Sequence, residues 1–395
     1  MKQFLEGSRA VAEIVKLCKP GVISAYPITP QTHIVEELAQ MVANGELNAQ
    51  FVNVESEHSA ASVVLGAVAT GVRAFTATSS QGLLYMAEVL FNISGLRLPL
   101  VLTCANRAIS APINIWNDQQ DSVSLRDSGW IQFYAENIQE AADLHLLAYR
   151  LGEDKSIMLP AMVCMDGYTL THGMETVDIP TQGEVDKFLP SYKPLYKLDP
   201  AEPLTMGLLA DPDYYLETRF AIQETFKEVL KMIPKISEEF KNRFGRDYKD
   251  GLVEEYCTKD AEKVIVAMGS VCGTIKEVVD AQRAKGKKVG LLKIISYRPF
   301  PYAKVDDALK DIPRIAVLDK AVSLGAYAPL AVEIKATFFG KKKSPKLISS
   351  FIAGLGGRDI TFESVKEIFT KLNRKEVNLE FIDLKPELLK EEYGV

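Results

Sequence analysis

Apolar and polar positions along the chain predict strands and helices in alternation from about residue 20 to about residue 170. After Pro30, apolar side chains recur on one helical face, at Ile34, Val35, Leu38, Met41 and Val42. Further helices are predicted over residues 60–71, 83–94 and 139–152, and a closing strand over 157–165. This spacing indicates βαβ units and a mainly parallel sheet.

A second series of buried-strand patterns follows later in the chain, over residues 264–268, 289–292, 315–318 and 347–349. Between the two series, prolines recur from Asp178 to Asp213 and predict an extended connection. A charged helical stretch over 214–244, interrupted at Pro234, follows that connection. The sequence therefore predicts an α/β protein in three parts, which are a parallel-sheet domain (1–177), an extended and helical linker (178–255) and a second α/β domain (256–395).

Polar or charged side chains follow four of the predicted strands in the first third of the chain. They are the segments Tyr26–Pro30, Glu55–His58, Ser79–Gly82 and Asn106–Arg107. In open α/β sheets, ligands bind outside the carboxyl ends of the strands. These segments together predict a crevice for an anionic ligand. The turn at Ser79–Gly82 is either a helix cap or a lining of that crevice.

The segment from Ala108 to Trp130 interrupts the alternation of predicted strands and helices, because its apolar residues show neither a helix nor a strand periodicity. Irregular loops longer than about 12–15 residues inside a compact domain are usually functional or disordered. Two tryptophans and few glycines are typical of an ordered segment. We expect an ordered, functional loop beside Arg107.

Composition narrows the class of protein. A net charge of -6, with 25% charged and 47% apolar residues, is typical of a soluble globular protein and argues against a nucleic-acid or membrane-surface role. No apolar run approaches the roughly 20 residues that span a bilayer. Glu6 and Glu13 lie inside the first apolar stretch, which predicts an amphipathic helix and not a signal peptide. We expect a cytoplasmic protein.

The cysteines and histidines predict no metal site in this chain. The cysteines Cys18, Cys104, Cys164, Cys257 and Cys272 are scattered, and so are the histidines His33, His58, His145 and His172. Zinc and iron–sulfur sites need several ligands within reach of one metal, and in sequence these usually appear as close spacings.

Each of the strand-end side chains has a structural and a functional interpretation. Thr29 before Pro30 is typical of a helix N-cap, and its hydroxyl can also face an anion at the positive end of the helix dipole. Glu57 either places a stabilising negative charge at the N-terminus of the next helix or acts as a proton donor or acceptor. Glu55 is the alternative candidate for the proton-transfer role. Arg107 either forms a surface salt bridge or grips a carboxylate with two parallel hydrogen bonds.

Four motifs taken together resemble the α subunit of the 2-oxoacid:ferredoxin oxidoreductases. They are Tyr26–Pro30, Glu55–Ala60, Thr76–Gly82 and the stretch from Asn106 to Asp118. Within that family, the multi-subunit pyruvate:ferredoxin oxidoreductases are the most similar. The resemblance covers essentially the whole chain and includes Ser296–Pro301 and Gly354–Asp359 in the second domain.

The resemblance implies a thiamine diphosphate enzyme whose cofactor is shared between subunits. This chain then supplies a pyrimidine-type thiamine diphosphate-binding domain, followed by a domain like the C-terminal one of transketolase. A β subunit supplies the diphosphate and Mg²⁺ site and a [4Fe–4S] cluster, γ and ferredoxin-like δ subunits complete the complex, and coenzyme A and ferredoxin are the other reactants. The chain has no Gly-Asp-Gly signature for Mg²⁺ and diphosphate, which agrees with such a half-site.

The resemblance also implies roles for three residues. Glu57 matches the glutamate that hydrogen-bonds N1′ of the aminopyrimidine, and so activates the cofactor. Thr29 and Arg107 match the residues that hold the 2-oxoacid, with Thr29 lying beside the cofactor as well. Thr29 resembles the pyruvate enzymes, whereas oxalate-using relatives carry arginine there. The alternatives are the same chemistry on 2-oxoglutarate or a branched-chain 2-oxoacid, or a non-catalytic scaffold subunit.

Overall fold

The structure, a computed structural model, describes residues 2–394 and gathers them into two compact units. The first unit runs to Glu254 and includes Met268–Ser270 and Ile294–Pro301. The second comprises Glu255–Ala267, Val271–Lys293 and the chain from Tyr302 onward. The division at 177 and 255 into three parts stays a prediction.

The strands, in chain order, are β1 (Lys2–Glu6), β2 (Val22–Ala25), β3 (Gln50–Asn53), β4 (Ala74–Thr78), β5 (Val101–Asn106), β6 (Ile131–Tyr134), β7 (Ala161–Asp166), β8 (Met174–Asp178), β9 (Val253–Tyr256), β10 (Lys263–Ala267), β11 (Val289–Ile294), β12 (Ser296–Arg298), β13 (Arg314–Asp319), β14 (Leu347–Ile352) and β15 (Glu380–Phe381). The helices are α1 (Gly7–Cys18), α2 (Thr32–Ala43), α3 (Glu57–Ala69), α4 (Ser80–Tyr85), α5 (Ala87–Gly95), α6 (Gln120–Ser124), α7 (Ile138–Gly152), α8 (Gln182–Phe188), α9 (Pro212–Phe244), α10 (Val271–Arg283), α11 (Tyr302–Leu309), α12 (Pro329–Phe338), α13 (Phe362–Lys371) and α14 (Pro386–Tyr393).

The main sheet of the first unit has the strand order β12-β6-β7-β5-β4-β2-β3. Its strands pair in parallel except β12, which is antiparallel to β6. Every residue of β4 and β5 is buried, as expected for central strands covered on both faces. The four strands with polar ends, β3, β2, β4 and β5, are contiguous neighbours, so their carboxyl ends meet at one edge.

The second unit is built around another mainly parallel sheet, with the order β15-β14-β13-β10-β11-β9. The predicted strands correspond to β10, β11, β13 and β14, and β13 lies between β10 and β14 in parallel register. Its core includes Ile265, Leu291, Leu318 and Phe351 from these strands. The α/β class predicted from the alternating patterns is therefore confirmed for both series.

Three local predictions are wrong in detail. Lys2–Glu6 is a strand, antiparallel to β8, and the amphipathic helix begins only at Gly7. The predicted helix over 83–94 is two short helices, α4 and α5. Pro234 does not interrupt α9, which continues through it. Among residues 2–394, no helix combines the length and apolar character needed to cross a membrane.

Thr29 is not the N-cap of α2, because that helix begins at Thr32 with Gln31 in the cap position. The Gln31 side chain is fully buried, and its Nε2 donates to the carbonyl of Ala77 over 2.6 Å. Its Oε1 accepts from the N–H of Ile28 over 3.4 Å. Gln31 thus fixes the turn to β4, and Thr29 lies in that turn ahead of the helix.

A buried ion pair joins the start of β4 to the end of α7. We expect its removal to destabilise the folded protein strongly. Nε and Nη2 of Arg73 each donate to the Glu153 carboxylate over 2.6 Å, and both side chains are 8% exposed. Glu153→Ala leaves the Arg73 cation buried without its partner, so we expect the free energy of unfolding to fall by about 3–5 kcal/mol. Denaturant unfolding measures the change.

The matched control is Lys19→Ala, which removes the Lys19–Asp186 ion pair of the same 2.6 Å length. Both side chains of that pair are about half exposed, and such pairs contribute little. Equal effects of the two substitutions would contradict the importance of the buried pair.

Candidate active site

Arg107 follows the last residue of β5 and its guanidinium bridges three segments of the crevice. Nε donates to the carbonyl of Asn114 over 3.0 Å, and Nη1 donates to the carbonyl of Thr29 over 2.8 Å. Nη2 donates to Oε1 of Gln81 over 3.3 Å. A guanidinium carries more N–H groups than these bonds use, so Arg107 can also bind a ligand.

Asp121 is a fully buried carboxylate that joins the ends of β4 and β5. Its Oδ2 accepts the backbone N–H of Ser80 over 2.9 Å and that of Arg107 over 3.0 Å. Its Oδ1 accepts from Nδ2 of Asn106 over 2.7 Å and from the N–H of Ser122 over 2.8 Å. Asp121 therefore holds the backbone from which Arg107 projects.

Burial raises the pKa of Asp121 from its usual 3.8 to about 6, although the hydrogen bonds from Asn106, Arg107, Ser80 and Ser122 act in the opposite direction. Burial also lowers the pKa of Arg107, and the charges of Asp121, Tyr168 and Glu57 oppose that shift. Arginine stays protonated in proteins, so Arg107 is a cation beside this carboxyl group.

Glu57 is the first residue of α3, directly after Ser56, whose hydroxyl caps the helix by accepting the N–H of Ser59 over 3.2 Å. Its side chain is half-buried and makes no hydrogen bond or ion pair with any described residue. The carboxylate packs against Gly82, where an added Cβ would lie 2.8 Å from Glu57 Oε1 and 2.5 Å from Thr78 Oγ1. Only glycine fits there without displacing Glu57.

Glu55, the rival carboxylate, is exposed and accepts a hydrogen bond from the hydroxyl of Ser59. Thr29 is exposed in the turn after β2, and its carbonyl binds Arg107. The structure therefore brings Thr29 and Arg107 into contact and leaves the Glu57 carboxylate unpaired among residues 2–394. The assignment of roles to these residues stays a prediction.

The loop after β5 is ordered by hydrogen bonds, as the sequence predicts. The N–H of Ala108 donates to the carbonyl of Trp116 over 3.0 Å. Nδ2 of Asn117 donates to the carbonyl of Gly167 over 3.3 Å and to Oγ1 of Thr169 over 3.0 Å. The loop leads into α6, which carries Asp121.

Sequence reasoning missed three residues that position Arg107, namely Gln81, Asn114 and Asp121. Gln81 and Asn114 lie inside segments that the sequence did single out, but nothing there identified an acceptor for the arginine. Asp121 sits in the loop that the sequence marked as functional. A single aspartate in an irregular loop carries no pattern that predicts its burial.

Family models of known proteins match both parts of the chain. A family model described as pyruvate flavodoxin/ferredoxin oxidoreductase, thiamine diphosphate-binding, matches residues 13–238. A model described as pyruvate:ferredoxin oxidoreductase core domain II matches residues 261–365.

Similar relatives cover nearly the whole chain. Pyruvate synthase subunit PorA of Methanothermobacter thermautotrophicus is 50% identical, over 98% of this chain and 99% of its own length. PorA of Pyrococcus furiosus is 46% identical, over 99% of this chain and 100% of its own. Ketoisovalerate oxidoreductase subunit VorA of Pyrococcus abyssi is 43% identical, over 93% of this chain and 92% of its own.

Solved structures show the same fold at low identity. A 2-oxoglutarate:ferredoxin oxidoreductase from Magnetococcus marinus, with 2-oxoglutarate, coenzyme A and succinyl-CoA bound, has a TM-score of 0.74 and 20% identity. The match covers 94% of this chain and 65% of that one. A split gene transketolase, an inactive β4 tetramer, has a TM-score of 0.55 and 11% identity.

The parallel-sheet fold and the matched thiamine diphosphate-binding model define the class, which is that of the subunits of thiamine diphosphate-dependent oxidoreductases. With relatives about 50% identical over nearly its full length, the chain belongs to the pyruvate:ferredoxin oxidoreductase family. The resemblance noted in the sequence is confirmed.

The raised pKa of Asp121 predicts an acid limit to activity. Below about pH 6 the carboxyl group is protonated and accepts the four N–H groups poorly, so Arg107 and Ser80 lose their anchor. We expect kcat/KM of the complex for its 2-oxoacid to fall as the pH drops through about 6, by about tenfold per pH unit. A pH profile of kcat/KM measures this.

Asp121→Asn is the comparison for that profile, because asparagine does not titrate. Its side-chain N–H₂ group would face the N–H groups that Asp121 accepts, so we expect kcat/KM to be reduced at every pH. Because asparagine has no proton to gain in this range, the fall in kcat/KM near pH 6 should disappear. An acid limb near pH 6 that persists in Asp121→Asn would assign the limb to another group.

Proposed function

We propose that this chain is the α subunit of a multi-subunit pyruvate:ferredoxin oxidoreductase. The reaction is the thiamine diphosphate-dependent oxidative decarboxylation of pyruvate to acetyl-CoA and CO₂, with electrons passed to ferredoxin. The observation that carries the proposal is the carboxylate of Glu57, which is half-buried at the crevice and unpaired among the described residues. The PorA relatives support pyruvate as the substrate.

The residues around Glu57 fit the aminopyrimidine of thiamine diphosphate. The carboxylate is free to accept a hydrogen bond, and glycine at position 82 keeps the space beside it open. Thr78 Oγ1, near the same glycine, is buried and has no hydrogen-bond partner in the described part of the chain. When bound, thiamine diphosphate supplies the carbon nucleophile for the 2-oxoacid carbonyl.

In this proposal Glu57 binds N1′ of the aminopyrimidine and holds a proton there. A carboxylate in a partly dry pocket does this well, because low dielectric strengthens its hydrogen bond to the ring nitrogen. The start of α3 is also a favourable place for a negative charge when the ligand is absent.

Arg107 and Thr29 bind the 2-oxoacid in this proposal. The remaining N–H groups of Arg107 bind the substrate carboxylate, while its bonds to Thr29, Gln81 and Asn114 fix the plane of the guanidinium. Thr29 is exposed and its carbonyl binds Arg107, and in this proposal its hydroxyl supplies a further hydrogen bond to the substrate. A fixed orientation of the substrate places its carbonyl carbon for attack.

Partner subunits complete the site in this proposal. A β subunit supplies the diphosphate and Mg²⁺ site and a [4Fe–4S] cluster, and γ and δ subunits carry electrons toward ferredoxin. Coenzyme A accepts the acyl group. The matched relatives are themselves named as subunits, which supports a multi-subunit enzyme.

Glu57→Ala tests the central role of the carboxylate. We expect pyruvate- and coenzyme A-dependent reduction of a low-potential dye by the purified anaerobic complex to fall at least about 100-fold, because a proton contact to the cofactor is lost. Assembly should persist, since Glu57 makes no bond within the described residues.

Glu55→Ala is the matched control, because Glu55 is a neighbouring carboxylate that is exposed and bonded only locally to Ser59. It should keep nearly full activity. Normal turnover by an assembled Glu57→Ala complex would refute the proposed role. Faster wild-type reaction with ketoisovalerate than with pyruvate would refute the substrate while leaving the chemistry in place.

Arg107→Lys tests the substrate contact. A lysine cannot reproduce the fork that joins Thr29, Gln81 and Asn114 and also grips a carboxylate. We expect KM for pyruvate to rise about 10- to 100-fold, the loss of one charged hydrogen bond. Steady-state kinetics of the assembled complex give the result, and an unchanged KM and kcat would contradict the assignment.

A further inference from the structure

Glu6, His33 and His172 come together on the surface of the first unit. Each offers one ligand atom, and the three atoms lie within 4.8 Å of one another. The residues come from three separate places, which are the end of β1, the first turn of α2 and the segment between β7 and β8. Their spacing in sequence gave no sign of this cluster.

Hydrogen bonds and ring stacking orient the three side chains. Nδ1 of His33 lies 2.7 Å from Oε1 of Glu6. Nδ1 of His172 lies 2.7 Å from the hydroxyl of Thr171, which also accepts the N–H of Tyr168 over 2.8 Å. The rings of His33 and His172 have centroids 4.6 Å apart. The ring of Tyr168 packs against that of His172, with centroids 4.7 Å apart.

These contacts resemble the surroundings of metal-binding histidines. A ligating histidine usually binds the metal through one ring nitrogen and donates the other N–H to an oxygen. In the tautomer in which Nδ1–H of His172 donates to the Thr171 hydroxyl, Nε2 carries the free lone pair. The Glu6 carboxylate has a second oxygen besides the one beside His33, so it can bind an ion and hold the ring.

The distances are compatible with a small divalent ion. Zinc lies about 2.0–2.2 Å from nitrogen and carboxylate ligands, so two ligands on one tetrahedral ion are about 3.3 Å apart. Closing the cluster requires side-chain movements of about 1.5 Å. The His33 side chain is 46% exposed and Glu6 is 30% exposed, so an ion from solvent can reach both.

We propose that Glu6, His33 and His172 form a binding site for a divalent transition-metal ion of the zinc type. Two imidazoles and one carboxylate are ligands that suit zinc, and three protein ligands leave a position for water. The site runs against the expectation, from sequence spacing, that this chain holds no metal.

The ion would cross-link three elements of the first unit. His33 lies four residues after Thr29, and His172 lies six residues after Asp166, the last residue of β7. The cross-link ties β1 to the start of α2 and to the turn before β8. The bound ion is therefore expected to act as a structural clip, and a ligand that binds only the folded state stabilises it.

Zinc content of the intact complex tests the site. The complex is stripped with a chelator, dialysed anaerobically against Zn²⁺ and washed, and the zinc per copy of this chain is then measured by mass spectrometry. We expect the double variant His33→Ala/His172→Ala to hold one zinc ion fewer per chain than the wild type. Equal zinc content in both would overturn the proposal.

His58→Ala is the matched control, because His58 is also a partly exposed histidine beside a carboxylate, with Nε2 3.8 Å from Glu88. It should keep the wild-type zinc content, and a loss of zinc equal to that of the double variant would overturn the site. Should the double variant fail to assemble, zinc-edge X-ray absorption of the wild type decides. Two imidazole nitrogens support the site, and thiolate sulfur or water alone overturns it.

Discussion

The rest of the crevice depends on one buried carboxylate, Asp121. It accepts backbone N–H groups from the ends of two neighbouring parallel strands, at Ser80 and Arg107. Ser80 has a φ of 49°, a left-handed conformation that is costly for a residue with a side chain and needs such an anchor. Burial opposes the charge of Asp121, while four hydrogen bonds favour it. The site thus rests on a balance between desolvation and hydrogen bonding.

The two charged side chains of the crevice differ in how they are held. One is fixed by hydrogen bonds within the chain, and the other has none among the described residues. Arg107 is fixed by carbonyl and amide oxygens on three segments, so its position does not depend on a ligand. Glu57 is open, since its carboxylate has no partner within residues 2–394. This difference fits the proposed half-site, in which Arg107 orients the substrate and Glu57 acts on the cofactor.

Most of the fold follows from local patterns, and the departures have local causes. The strands β2, β4 and β5 and the helix α7 lie close to where periodicity predicts them, because each has a strong apolar pattern. The N-cap at Thr29 was wrong because buried Gln31 binds β4 and delays the helix. Pro234 lies inside a continuous α9, so a proline alone did not end that helix. Tertiary contacts override propensity at such points.

The sequence by itself determined the α/β class, the four polar strand ends and the family, since these are carried by periodicity and by contiguous motifs. Only the tertiary structure decided which of Glu55 and Glu57 faces Gly82, where Asp121 is buried, and that Glu6, His33 and His172 share one patch. The physical reason is distance along the chain. Residues that are far apart in sequence leave no pattern, and only the packing of strands and helices brings their side chains together.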